Sequence, residues 1–216
     1  MDKKEALEIV QKNGLELDNL PAHFKNDKEV VLEAVKQNGY ALRYADDNFK
    51  KDKEFFLKAV KKNYLALKDA DDSLKKDKKF ILEAVKLNGF VLGAADNSLK
   101  KDKEIVLEAV KEDGYALDDA DDSLKKDREI VLEAVKQNGY ALFLADDSFQ
   151  KDKEVVLEAL NKSGTLKDRD GKTILISLED IDESLRNDPD ILALINKNKK
   201  WRKKRHQKKL SDKNYK

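Results

Sequence analysis

Cysteine is absent from the chain, which removes disulfides, thiolate metal sites and a thiol nucleophile together. Histidine is nearly as scarce, with only His23 and His206, close to opposite ends of the sequence. A catalytic triad or a histidine-ligated metal lacks its ingredients, so the sequence reads as non-enzymatic and needing no cofactor. No apolar run reaches the length of a membrane span and none follows Met1. Integral membrane association and a cleaved secretion signal are therefore not expected. The expected compartment is the cytoplasm, with nuclear import or delivery into a host cell left open. What the chain has in excess is charge, 41% of its residues. Such a fraction can signal disorder, but here the apolar residues are strictly phased.

The phase is 25 residues. A leucine recurs at Leu7, Leu32, Leu57, Leu82, Leu107, Leu132 and Leu157, and most of its neighbours recur with it. Aligned on it, each repeat starts at an aspartate: Asp2, Asp27, Asp52, Asp77, Asp102, Asp127 and Asp152. A fixed period of this length marks a tandem array whose members bury their apolar faces only by stacking. The expected fold is an all-α solenoid, extended as a curved rod.

In the second repeat Asp27 suits an N-cap and Glu29 the first turn. Val30, Val31, Leu32, Ala34 and Val35 give an apolar stripe at helical spacing, with the recurring leucine, such as Leu107, expected in the core. Gly39 is expected to end the helix in a left-handed conformation. A shorter second helix follows, with Tyr40, Leu42 and Ala45 inward. Asp46 and Asp47 cap a last turn that returns Phe49 to the core. Tyr64 replaces the glycine in the third repeat, where strain is expected. The first repeat departs at Ile9 and at Leu20-Pro21-Ala22, as an end repeat should.

Six full repeats and the first helix of a seventh cover residues 2–164. An insertion over 165–181 reads as a hairpin turning at Asp170-Gly171, with β-branched Thr173 to Ile176 beyond it. Residues 182–198 resume the pattern as a capping helix, and 199–216 form a basic tail. Residues 196–216 carry eleven Lys and Arg against one acid, Asp212. The body is correspondingly acidic, and an acidic body with a basic tail bears on partners.

The unit D-K-E-V-V-L-E-A-V-K-Q-N-G-Y-A-L-x-x-A-D-D-S-L-K-K, carried most clearly by Asp27, Leu32, Ala34, Val35, Gly39, Leu42 and Ala45, resembles the bacterial tandem-repeat family of domain of unknown function 4116. The resemblance spans about residues 2–195. It implies an α-helical array and carries no functional residue over.

Two surfaces stand out. The residues after the second-helix leucine differ in every repeat: Asp18-Asn19, Arg43-Tyr44, Lys68-Asp69, Gly93-Ala94, Asp118-Asp119 and Phe143-Leu144. Aligned along a solenoid they form a stripe of the kind that binds a protein partner. Tyr44, Phe143 and Leu144 add exposed apolar character; drift at unconstrained positions is the bland alternative. The second surface is the tail, where Lys199, Lys200, Trp201, Arg202, Lys203, Lys204, Arg205, Lys208 and Lys209 suit RNA or another polyanion. Trp201 alternatively completes the last helix's apolar stripe. The paired acids Asp46/Asp47, Asp71/Asp72, Asp121/Asp122 and Asp146/Asp147 read as caps rather than as a cation ladder. The turn at Asp168 to Gly171 lacks acids at the ends of an EF-hand loop. The sequence leaves the oligomeric state open.

Overall fold

The computed structural model describes residues 1–162 and 176–200, and no strand occurs among them. The hairpin expected from residue 165 therefore lies almost wholly outside the described residues, as does the tail from Trp201. The chain forms two compact units, one of Met1–Glu112 with Asp119–Asp121, the other of Asp113–Asp118 with Asp122 onward.

Each repeat opens with one long α-helix, for example Lys28–Gln37, Lys53–Lys62 and Lys103–Glu112 in the first unit and Arg128–Gln137 and Lys153–Lys162 in the second. The aspartate caps as expected: Asp27 Oδ1 accepts from the Glu29 and Val30 amides at 3.0 and 3.2 Å. This satisfies donors that have no partner inside the helix. The helix does not end on the glycine. Asn38 leaves in an extended conformation (φ −147°, ψ 113°), and its side chain accepts from the Tyr40 amide at 3.0 Å. Asn38 is thus both the exit from one helix and the cap of the next.

That next segment is a 3₁₀ helix, Gly39–Tyr44, not a short α-helix. Three residues per turn put Gly39, Leu42 and Ala45 on one line, all buried, with Ala41 beside them. Tyr40 is half-exposed instead of inward. Gly39 is required by close approach, since a Cβ there would lie 2.7 Å from Leu65 Cβ of the next repeat. Asn63 in the third repeat has the same extended backbone as Asn38 (φ −155°), so Tyr64 brings no turn strain. Its ring instead packs against Phe90, centroids 5.3 Å apart.

A third short segment, such as Asp47–Lys51, returns Phe49 to the core and hands over to the next capping aspartate. One backbone hydrogen bond per repeat ties this corner to the previous one, as in Asp71 N to Lys50 O (2.9 Å) and Asp146 N to Lys125 O (3.1 Å). A cationic side chain at the second repeat position spans to the next N-cap: Lys3 to Asp27 (2.9 Å), Lys78 to Asp102 (2.7 Å), Arg128 to Asp152 (2.9 Å).

The two ends show which side of the helix faces which neighbour. In the first repeat positions 5 and 9, Ala6 and Val10, are fully buried while positions 4 and 8, Glu5 and Ile9, are exposed. In residues 189–200, which are helical, the pattern inverts: Ile191 and Ile195 are buried and Asn196 is exposed. Positions 4 and 8 therefore pack on the preceding repeat, positions 5 and 9 on the following one. The C-terminal helix is an eighth repeat by the same test, because Asp188 caps it and pairs with Lys153 at 2.8 Å. The recurring leucine corrects another expectation, for Leu107 and its six counterparts are only half-buried. They sit at the outer edge of the helix, and the core proper is built from positions 4, 5, 8 and 9 with the 3₁₀ leucine, such as Leu42 and Leu117.

Candidate interaction surface

Side chains three apart in a 3₁₀ helix lie one above the other. Residue 14 of each repeat therefore stands beside residue 17, the first of the two variable positions. In the first unit this superposes Leu15 with Asp18, Tyr40 with Arg43, and Leu65 with Lys68. In the second it superposes Tyr115 with Asp118 and Tyr140 with Phe143. The residue at position 14 is apolar throughout and half-exposed, except Leu15, which is 37% exposed. In each unit the surface is thus a row of apolar residues, mostly aromatic, beside a position that varies among aspartate, arginine, lysine, glycine and phenylalanine. Sequence reading named the neighbours and missed the row, because an α-helical spacing turns Tyr40 inward. The signal available was the three-residue spacing of Gly39, Leu42 and Ala45.

In the second and third repeats the surface is polar. The Arg43 guanidinium lies over the Tyr40 ring at 5.1 Å, and Lys68 of the next repeat lies 5.8 Å from the same ring. Arg43 Nε also approaches Asp69 Oδ2 at 3.7 Å. That carboxylate oxygen is buried with no hydrogen bond, so the guanidinium is its compensation. An open groove of about 390 Å³ runs here, lined by Arg43, Lys50, Lys68, Asp69, Asp71 and Asp72. Tyr44 stands half-buried beside Arg43.

Position 18 leans back on position 17 of the preceding repeat. Asp69 does so on Arg43, and Asp119 on Gly93, where a Cβ would lie 2.8 Å from Asp119 Oδ2. The variable residues are therefore linked in pairs across repeats. Asp118 is exposed and Asp119 half-buried. In the second unit the surface is apolar apart from Asp118: Tyr115 and Tyr140 have centroids 5.4 Å apart, Phe143 meets Tyr140 at 5.5 Å, and Leu144 is half-buried next in the chain.

The paired acids are occupied. Asp71 Oδ1 accepts from Ser73 Oγ at 2.6 Å and from its amide at 2.9 Å, and these bonds hold the carboxyl below its usual range. Asp72 pairs with Lys75 at 3.5 Å. Asp146 repeats the pattern, with Ser148 donating to it, while Asp147 accepts from Gln150 Nε2 at 3.3 Å. His23 is exposed, its ring against Phe24. Among the described residues no group of three His, Cys, Asp or Glu side chains converges as a metal site. No helix among them is long and apolar enough to cross a membrane. Of the tail candidates, Lys199 and Lys200 are exposed within the eighth long helix, and Trp201 to Lys209 lie outside the described residues.

The model of a family described as "Domain of unknown function (DUF4116)" matches residues 2–50, 52–100, 78–125, 102–150 and 127–168. The longest matches each span two 25-residue repeats, and their overlap reproduces the tandem register. No curated protein matches the chain, and no solved structure does.

Proposed function

The chain belongs to the DUF4116 repeat family, and we propose that it is a non-enzymatic, cytoplasmic interaction module that holds a protein partner along its 3₁₀ surface. One observation carries this reading: the 3₁₀ segments that follow the long helices each present an apolar residue at position 14, half-exposed except for the more exposed Leu15, beside a position that varies between repeats. Repeating anchors with variable neighbours suit one extended partner, because aromatics supply contact area at low entropic cost while the neighbours set specificity. Arg43, Tyr44, Lys68 and Asp69 provide the charged part, and Asp118, Asp119, Phe143 and Leu144 the remainder. The test is affinity capture with the full chain, its Arg43→Glu form and its Phe143→Ser form. A partner held by the parent but lost from both 3₁₀-surface forms supports the reading. Equal capture by all three removes it.

A second reading rests on the tail, whose eleven basic residues against one acid within 196–216 favour RNA or another polyanion. Each neutralised phosphate on a single strand releases roughly 0.7 counterion, so such binding weakens steeply with salt. Titration of a labelled single strand at several salt concentrations distinguishes the two, a flat response excluding the tail reading.

A further inference from the structure

We propose that the outer faces of the third and fourth long helices form a docking surface, with a groove on the fourth, for an acidic amphipathic segment of a partner protein, separate from the 3₁₀ surface. The outward stripe of a long helix runs through positions 3, 6, 7 and 10, one helical face. In the second repeat it reads Glu29, Leu32, Glu33, Lys36, and the fifth and sixth repeats keep the same residue types. The third repeat breaks it with Lys58 in place of the second glutamate. The fourth breaks it with Lys79 in place of the first. Two neighbouring repeats thus each exchange an acid for a base while Leu57 and Leu82 remain, half-buried, between the charges.

The core beneath this face differs from that of the other junctions. Position 5 of one repeat faces position 4 of the next. At this junction both are phenylalanine, Phe56 and Phe80, edge to face with centroids 6.5 Å apart. At the other junctions at least one of the two is smaller, as in Val31 with Phe55, Ile81 with Ile105 or Val131 with Val155. Of the two helices that meet here, Lys78–Val85 is two residues shorter than Lys53–Lys62. An open groove of about 390 Å³ lies on the fourth helix, where Leu82 is half-buried and Phe80 fully buried beneath it, with Lys53, Lys79 and Lys86 around them; Lys53 is the one lining residue from the third helix. Glu83 is the one acid lining it. Lys53 is bound by Asp77 and Lys86 lies 3.8 Å from Glu108, whereas Lys79 has no ion pair among the described residues.

The occupant follows from this chemistry. An apolar lining selects a leucine- or phenylalanine-like anchor, and the surrounding lysines select carboxylates on either side of it. That is the pattern of an amphipathic helix laid in a groove, read as anchors three and four residues apart. The neighbouring repeats carry net acidic stripes, which repel such a segment and fix its position on the array.

The test uses the full chain and a labelled synthetic helix with leucines at i, i+3, i+4 and i+7 and glutamates elsewhere, followed by fluorescence anisotropy. Companion probes replace the leucines by serine, replace the glutamates by lysine, or are single-stranded RNA. The decisive variant is Lys58→Glu with Lys79→Glu, which restores the residues that other repeats carry there and so preserves the fold, as circular dichroism would confirm. Lys203→Glu with Lys204→Glu makes the same charge change in the tail. We expect the Glu–Leu helix to bind the parent and the tail variant alike. It should lose at least tenfold in affinity on the Lys58/Lys79 variant, with hydrogen-exchange protection confined to 53–62 and 78–86. The serine and lysine probes should bind at least tenfold more weakly. Binding lost from the tail variant and kept by the Lys58/Lys79 variant would overturn the proposal. So would equal binding of the serine probe or RNA at the groove, or no binding by the Glu–Leu helix at millimolar concentration.

Discussion

Two residues show how the same local environment sets opposite preferences. Gly139 is buried where the seventh repeat's Ala159 carbonyl comes against it, leaving no room for a Cβ. Alanine normally stabilises relative to glycine by reducing freedom in the unfolded chain. Gly139→Ala should instead destabilise by about 1–3 kcal/mol, the usual cost of overpacking. A gain in the urea midpoint would show that the contact is soft. Asp113 poses the converse case. It occupies the position where Asn13, Asn38, Asn63, Asn88 and Asn138 cap the 3₁₀ segment, and its Oδ1 accepts from the Tyr115 amide at 2.9 Å. Burial raises its carboxyl pKa above the ordinary value, against the effect of that hydrogen bond. A raised pKa means the fold favours the protonated acid, so stability falls as pH rises through the unfolded and then the folded pKa. Asp113→Asn keeps the cap without the charge. It should therefore stabilise at neutral pH by about 0.5–2 kcal/mol, the usual gain from a consensus-type change. The gap should shrink towards zero near pH 3, and parallel stability curves for the two proteins would contradict the account.

Along an element, recurrence and burial prove to be different properties. The leucine that recurs in all seven repeats is half-buried, while the 3₁₀ leucine, such as Leu42, is fully buried. Leu42→Ala should cost about 2–5 kcal/mol as a core truncation. Leu32→Ala in the same repeat should cost about half as much, because less of its surface is removed from water. Chemical denaturation of the pair decides it, and equal losses would return the recurring leucine to the core. The long helices were legible because an aspartate cap and a 3.6-residue stripe point to one element. The 3₁₀ segments were not, because Leu42 and Ala45 face inward under either spacing and only Gly39 against Tyr40 tells them apart. The variable pairs were visible in sequence as departures from the repeat. Their pairing, Arg43 with Asp69 and Gly93 with Asp119, was not, since it joins residues 26 apart through a corner no local pattern describes. The groove of the third and fourth repeats was hidden for the same reason. Lys79 looks like an ordinary surface lysine until Lys53, Leu82 and Lys86 are seen to line one groove with it.

For the molecule as a whole, the repeated charge contacts make stability a function of pH. In each unit the N-cap aspartates are held below the usual carboxylate range: Asp77 by Lys53 and the Phe80 amide, Asp152 by Arg128, Asp188 by Lys153. Asp52 joins them through the Phe55 amide, opposed by burial and aided by Lys28. A carboxyl depressed in the fold contributes stability that is present above its unfolded pKa and lost as pH falls through its folded one. Because the contact recurs along the array, modest contributions add, and stability should decline from about pH 5 and steepen below pH 4, where unfolded aspartates take up protons. The groups are partly exposed, so salt should flatten the same curve. Asp77→Asn keeps an oxygen for the Phe80 amide but removes the charge that Lys53 meets. It should lower the urea midpoint at pH 7 and leave it close to the parent's at pH 3. An equal deficit at both pH values would mean that the aspartate acts through cap geometry alone, and that the cation of the preceding repeat contributes nothing to holding neighbours together.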